Sequence, residues 1–410
     1  MPSKISTLFQ FGEPRPLEHL QARVQLEAAF SAGDVKARDQ FQSAVEAFAE
    51  AADFFARARF KPLPPATGPS PFRMSLVDLL GAEKIGQMEQ AGEFVFYAVG
   101  DTGEHGHGAE GQESVSFHME QQIKRSDVAA VDRPALFYHL GDVIYFNGEL
   151  NLYPEQFYEP YQYLDVPIVA IPGNHDGDNI PGDSSLSAFV KNFCTETPEL
   201  PPMPGQSRRL TMTQPNVFFT LQTPFVTIIG LYSNVTGDLD DPNGNETPQF
   251  DWLVNELREA NAQKFLLVAV HHPPFSADNV HGGELKIGQA LDRAFAQAGR
   301  LPHLILTAHV HDYQRFSRDQ TVGNITRNIP YIVAGAGGYA GFGSLHKVQD
   351  GVPFPDGVTL VKSNDKLPGF LRITASADQL TAEYFVVPPP PNHLSETNPA
   401  TLFDSFSIVI

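Results

Sequence analysis

The sequence has one cysteine, Cys194, in 410 residues. An intrachain disulfide is therefore impossible, and so is a cysteine-built zinc site; a small buried hydrophobe is the expected role for this side chain. Basic residues are also scarce. Twenty-eight Lys and Arg stand against 48 Asp and Glu, for a formal net charge of −20. A general binder of nucleic acid or of anionic membranes needs a basic surface, so both classes are set aside. A small anionic substrate held by a locally positive site, such as a metal, stays open. No apolar run approaches the ~18 residues of a membrane span. The opening "MPSKISTLFQFGEPRPLEHL" shows no continuous apolar stretch of the secretory kind. The expectation from these absences is a cytoplasmic protein with no membrane partner. No internal repeat is visible.

Hydrophobic residues make up 42% of the chain, enough for a large core. Residues ~20–60 read as a helical hairpin, with Phe41, Val45, Phe48, Ala52 and Phe55 on one stripe and a break at "SAGD". "KPLPPATGPSP" (61–71) reads as a linker, so residues 1–70 form an N-terminal helical extension. From about residue 93 short apolar runs rich in β-branched and aromatic residues take over. They are "FVFYAV", "ALFYHL", "VPIVAI", "FVTIIGL", "FLLVAV", "LILTA" and "YIVAGAG". Helical patterns such as "QFDWLVNELREANA" and "IGQALDRAFAQAG" lie between several of them. Strands alternating with helices predict a layered α/β domain over 93–410. The tail returns to strand patterns, interrupted by "PPPP" (388–391), which reads as a stiff surface connection.

The chemistry lies in the residues just after each strand. "GDTG" brings Asp101, "GDVIY" brings Asp142 and Tyr145, and "PGNHD" brings Asn174, His175 and Asp176. "HHPP" brings His271 and His272, and "HVHD" brings His309 and His311. Each motif alone is weak. In open α/β sheets, however, the carboxyl ends of strands line the ligand crevice, and five such ends can converge on one point. Carboxylate and imidazole ligands suit hard-to-borderline metal ions, and two ions about 4 Å apart can clamp an in-line displacement.

The ordered set "GD…GDxxY…GNHD…VxxH…HxH" resembles the signature of the calcineurin-like metallophosphoesterases. The Gly of "GDTG" and the Tyr of "GDVIY" resemble its purple acid phosphatase branch. "TPQFDWLVNEL", "HVHDYQR", "AGAGGY" and "LFDSFSI" fit as well, so the resemblance spans roughly residues 93–410. It implies a four-layer α/β/β/α sandwich of two mixed sheets flanked by helices. It also implies a phosphoesterase acting on phosphate monoesters through attack of a metal-bound hydroxide. The alternatives are a phosphodiesterase of cyclic nucleotide or glycerophosphodiester type using the same site, and a non-catalytic binding protein on this fold.

The resemblance implies Asp101, Tyr145 and His311 on a first metal, Asp142 as the bridge, and Asn174, His271 and His309 on the second. The ions implied are Fe(III) plus a divalent Fe, Mn or Zn. Gly103 stands where most of the superfamily has a metal-binding histidine. Tyr145 is the candidate to fill that position, with His105 or His107 as the alternative. In "HHPP" the V-x-x-H spacing from Val268 selects His271 over His272. His175 is the candidate for contacting the phosphoryl group or protonating the leaving oxygen, with Asp176 orienting it. His281 is a candidate substrate-facing residue, against a plain surface reading. His118, His139, His303, His346 and His393 read as structural or surface residues. Ala308 departs from the usual Gly before H-x-H. Arg208 and Arg209, in a long Pro-rich insertion, read as a solvated pair, with contact to an anionic substrate as the alternative. "GAGGYAGFG" (335–343) reads as a tight rim around the site rather than a phosphate cradle.

Overall fold

The computed structural model describes residues 63–410 apart from 104–109, 146, 178–185, 204, 206, 235–238, 240–247, 279–280, 340–344, 346–349, 352 and 355–356. The helical hairpin expected over ~20–60, together with His105, His107 and His346, lies outside the described residues.

The described residues open with β1 (Arg73–Ser75), α1 (Leu76–Leu80) and α2 (Ala82–Ala91), all ahead of position 93. The core then runs β2 (Phe94–Val99), α3 (Glu110–Lys124), β3 (Phe137–His139), β4 (Ile168–Ala170), α4 (Ser187–Phe193), β5 (Phe219–Gln222) and β6 (Val226–Leu231). Next come α5 (Pro248–Glu259), β7 (Phe265–Val270), α6 (Leu285–Ala298), β8 (Leu304–Thr307), β9 (Tyr313–Val322) and β10 (Ile325–Ala334). The tail supplies β11 (Pro353–Phe354), β12 (Val358–Asn364), β13 (Gly369–Ala375), β14 (Gln379–Val386) and β15 (Thr401–Val409). One sheet has the order β1-β5-β6-β7-β8-β10-β9-β12-β11, the other β15-β14-β13-β2-β3-β4. Both are mixed. β6, β7, β8 and β10 run parallel in the first, β2, β3 and β4 in the second. This is the layered α/β architecture that the strand–helix alternation predicts, with the two mixed sheets that the resemblance implies.

Why these strands read as unbroken apolar runs is plain from the packing. Side chains alternate faces with period two, and here both faces are covered. In β2, Phe94, Phe96 and Ala98 enter one buried cluster and Tyr97 and Val99 another. In β7 the split is Phe265, Leu267 and Ala269 against Leu266, Val268 and Val270. The first cluster joins residues of the two sheets; the second joins the sheets to helices α4, α5 and α6. α6 shows the complementary helical period, burying Ile287, Ala290, Leu291, Ala294 and Phe295. It ends where Gly299 takes a left-handed φ of 67° and its N–H caps Ala296 and Phe295.

The linker segment is fastened to this body. Thr67 and Gly68 donate to the Pro215 carbonyl at 3.1 and 2.8 Å, and Trp252 Nε1 donates to the Pro71 carbonyl at 2.5 Å. Arg73 forms a bidentate pair with the buried Glu256 of α5. Edge strand β4 is completed by a side chain: Gln214 exchanges two hydrogen bonds with Ala170, at 2.7 and 2.8 Å. Arg209 is neither solvated nor aimed at a substrate. Its guanidinium donates to the carbonyls of Tyr161, Leu164 and Val166, at 3.2, 2.5 and 2.5 Å. Burial pulls its pKa down to about 10. Arg208 is exposed. Among the described residues no helix is long and apolar enough to cross a membrane.

Candidate metal centre

The topology explains how five separate motifs meet. The carboxyl ends of β2, β3 and β4 in one sheet carry Asp101, Asp142 and Asn174–His175. The ends of β7 and β8 in the other carry His271 and His309–His311. The turns that leave the strands are tight. Asp101, Asp142 and His309 have φ of 56°, 54° and 68°, the left-handed region that non-glycine residues avoid. Such strain persists where surrounding contacts over-determine it, and it concentrates at functional sites.

The groups then converge. Tyr145 Oη donates to Asp101 Oδ1 at 3.1 Å, lies 3.3 Å from Asp142 Oδ2, and is 3.4 Å from His311 Nε2. His271 Nε2 lies 3.2 Å from Asp142 Oδ2 and 3.2 Å from Asn174 Oδ1. His311 Nε2 is 3.8 Å from Asp101 Oδ1. The His271 and His309 rings are 5.3 Å apart. Asp142, His271 and His309 offer ligand atoms all within 4.8 Å of one another, an arrangement that can hold a metal ion. All seven residues expected as ligands thus fall into one connected group.

The surroundings fit a cation. Asp101 and Asp142 are buried, and their ion-pair contacts among the described residues are all to histidines. Buried carboxylates without a strong counter-charge are costly, and a metal supplies that charge. Burial, together with the charge of Asp142, pushes the Asp101 pKa well up. Burial also opposes ionised Asp142, but His271 and His175 outweigh it and hold its pKa below the usual range. His271 answers in kind: despite burial, Asp142 lifts it to about 9, so without a metal this imidazole carries the compensating proton. Its Nδ1 is 2.9 Å from the Leu140 carbonyl, which makes Nδ1 the donor and directs Nε2 to Asp142 and Asn174. His309 is held neutral by burial and by the four histidines around it. Burial and both carboxylates raise the Tyr145 pKa. Its phenol keeps its proton until a strong Lewis acid competes for the oxygen.

Gly103 has a steric explanation. A Cβ there would lie 2.9 Å from Gln156 Oε1 and 3.0 Å from the Val143 carbonyl carbon, and closer still to the Val143 oxygen. The backbone at 103 thus lies directly against the "GDVIY" loop, and no side chain fits. Gln156 holds the same loop, accepting from Tyr145 N at 2.8 Å and donating to its carbonyl at 3.0 Å. The extra methyl of Ala308 is accommodated because its neighbour is Gly100, where a Cβ would come within 2.6 Å of it.

His175 is buried, its ring 4.5 Å from Tyr145 and its Nε2 3.9 Å from Asp142 Oδ2. Asp176, expected to orient it, is engaged elsewhere. Its carboxylate accepts from the backbone N–H groups of Val143, Ile144 and Gly173, at 3.0, 3.1 and 2.8 Å. It ties the Asp142 loop to the Asn174 loop, and that is a correction to its assignment as a catalytic group. Another imidazole near the site, His281, has its own carboxylate neighbour. Its Nδ1 is 3.4 Å from Asp278 Oδ2, and its ring is 4.9 and 5.4 Å from those of His309 and His311. His281 is thus brought to the site, not left on a distant surface. His272 packs 4.4 Å from His309, with its Nδ1 2.8 Å from Ser233 Oγ.

Two further groups escaped sequence reasoning, Gln156 and Asp278; Tyr339 lies in the stretch read as a rim around the site, and its ring stacks on Tyr145 at 3.8 Å. His139, read as structural, joins the two aspartate loops. Its Nδ1 accepts from Gly141 N at 3.2 Å, and its Nε2 lies 2.8 Å from Thr102 Oγ1.

Fold and site together define a two-sheet α/β protein with a carboxylate–imidazole–phenol cluster at the strand ends. A profile of the calcineurin-like phosphoesterase family matches residues 94–313, more than half of the chain. The protein belongs to the calcineurin-like phosphoesterase family. Among solved structures, purple acid phosphatase PPD1 from yellow lupin (Lupinus luteus) seeds is similar, with a TM-score of 0.56 and 16% identity over 77% of this chain. The match takes in 54% of the lupin chain, so this protein spans about half of that enzyme's length. GAP50, described as the anchor in the inner membrane complex of Plasmodium, is similar with a TM-score of 0.53 and 13% identity, over 78% of this chain and 89% of that one. At these identities both likenesses concern the fold.

Proposed function

We propose that this protein is a dinuclear-metal phosphoesterase of the purple acid phosphatase type, hydrolysing small phosphate monoesters. The observation that carries this reading is the Tyr145 hydroxyl, 3.1 Å from Asp101 and 3.3 Å from Asp142. A phenol oxygen among carboxylates suits a hard trivalent ion such as Fe(III). Asp101, Tyr145 and His311 would hold that ion, Asp142 would bridge, and Asn174, His271 and His309 would hold a divalent partner. When bound, the two ions supply the Lewis-acid charge that activates the nucleophile and neutralises the phosphoryl oxygens.

The remaining steps fall to the chain's own groups. His175 sits against both Tyr145 and Asp142, where an imidazole can hold a proton for the departing oxygen. His281, flanked by Asp278, stands beside the rings of His309 and His311 and can donate to a phosphoryl oxygen. The testing experiment compares rates on a chromogenic phosphate monoester and the corresponding diester, for wild type and Asp142→Asn. Faster monoester turnover that disappears in the variant supports the reading. Faster diester turnover moves the protein to the phosphodiesterases. Equal turnover in both proteins would show a contaminant, and then a non-catalytic member of the family.

A further inference from the structure

The turn after β10, Gly335 to Tyr339, lies against the loop that carries Asp101. A Cβ at Gly335 would be 2.6 Å from Asp101 Oδ2, and one at Gly337 would be 2.5 Å from Thr102 Cγ2. Bare glycines allow that approach, and it delivers Tyr339, 7% exposed, into the site. The Tyr339 N–H donates to the Asp101 carbonyl at 3.0 Å. Its ring lies over Tyr145 at 3.8 Å and 17°, and meets the His311 ring edge-on at 4.8 Å and 67°. Asp101, Tyr145 and His311 are the three groups assigned to the first metal besides the bridge. One residue touches all of them.

We propose that Tyr339 is a positioning residue for the first-metal half of the site, acting chiefly by holding the Tyr145 ring. The inference rests on the ligand set proposed above. The geometry requires such a support. Tyr145 leaves an irregular turn, and Gln156 fixes only its backbone. A small rotation of the ring would swing the phenol oxygen away from Asp101 and Asp142. The Tyr339 face blocks that swing on one side, and the His175 ring is a further close neighbour at 4.5 Å. Aromatic stacking of this kind contributes beyond area burial, and its loss corresponds to roughly a three- to tenfold change in an equilibrium.

The test uses purified holoenzyme dialysed against graded citrate, with retained iron, retained divalent metal and the visible band followed together. Tyr339→Leu should release iron at roughly three- to tenfold lower citrate and shift the band, while the divalent ion is retained as in wild type. Tyr339→Phe keeps the ring and should match wild type within about twofold. In a Tyr145→Phe background, Tyr339→Leu should cost little more, because the two act as a unit. Wild-type iron retention with an unshifted band in Tyr339→Leu overturns the inference, and so do additive effects in the cycle. Iron binding that is indifferent to Tyr145→Phe instead removes the ligand assignment beneath it.

Discussion

Replacing Gly173 by alanine should disable the centre without unfolding the protein. Gly173 begins the "GNHD" turn and lies against Asp142. A Cβ there would be 2.5 Å from Asp142 N and 2.7 Å from Asp142 Cγ, and nearer still to Oδ1, where ordinary contact begins at 3.4 Å. The Asp142 backbone cannot give way easily. It is in a left-handed conformation, and its carboxylate accepts from His175 N at 2.8 Å. The carboxylate must therefore retreat by more than half an ångström, at the limit that a catalytic constellation tolerates. A misplacement near 1 Å costs about 10²-fold in rate, or ~2.7 kcal/mol in the barrier. We expect kcat/KM on a phosphate monoester to fall about 10²-fold, with metal content reduced in parallel and the far-ultraviolet dichroism unchanged. Gly86→Ala is the control. It lies within α2, and nothing stands within 4 Å of the new methyl. It should raise stability by about 0.5–1 kcal/mol and leave kcat/KM unchanged. Near-wild-type activity and metal content in Gly173→Ala would refute the packing argument.

Local chemistry gives two further outcomes. Gly103→His, which restores the superfamily's usual residue, should lower both metal content and activity, because the Val143 carbonyl and Gln156 occupy the space; a gain in divalent-metal affinity would contradict this. His303 is buried, accepts from Leu266 N at 2.9 Å, and has its pKa lowered to about 3 by burial and by Arg327 and Arg300. Protons bind this group more readily in the unfolded chain, so stability is lost as pH falls below about 6.5, by ~2 kcal/mol between neutrality and pH 5. His303→Asn should flatten the acid limb of a thermal-melt profile over that window, and an unchanged limb would sink the assignment.

How much of this was legible in the sequence depends on the reach of each interaction. The motif strands were readable because strands buried on both faces are unbroken apolar runs, and β2 and β7 fall where "FVFYAV" and "FLLVAV" stand. β1 is three residues long, and β9 reads "YQRFSRDQTV", too polar to announce itself. Its arginines are explained only by distant partners, Asp404 for Arg315 and Asp292 for Arg318. The proposed ligands were visible because each lies within six residues of the end of its strand. Their supports were less so: Gln156 is 11 residues beyond Tyr145, and Tyr339 stood in the stretch read as a rim, with nothing to show that its ring stacks on Tyr145. Asp176 misled because proximity in sequence to His175 suggested a pairing, whereas its oxygens serve three backbone N–H groups. Arg209 misled in the same way, since the carbonyls it caps lie more than 40 residues earlier.

The central claim is that Tyr145 supplies the oxygen ligand that Gly103 cannot. It is tested most directly by the visible absorption spectrum of protein purified without added metal, with iron quantified on the same sample. A tyrosinate-to-Fe(III) band that scales with iron and disappears in Tyr145→Phe is the predicted result. Metal-loaded protein with no such band, or a band that survives Tyr145→Phe, would contradict the account.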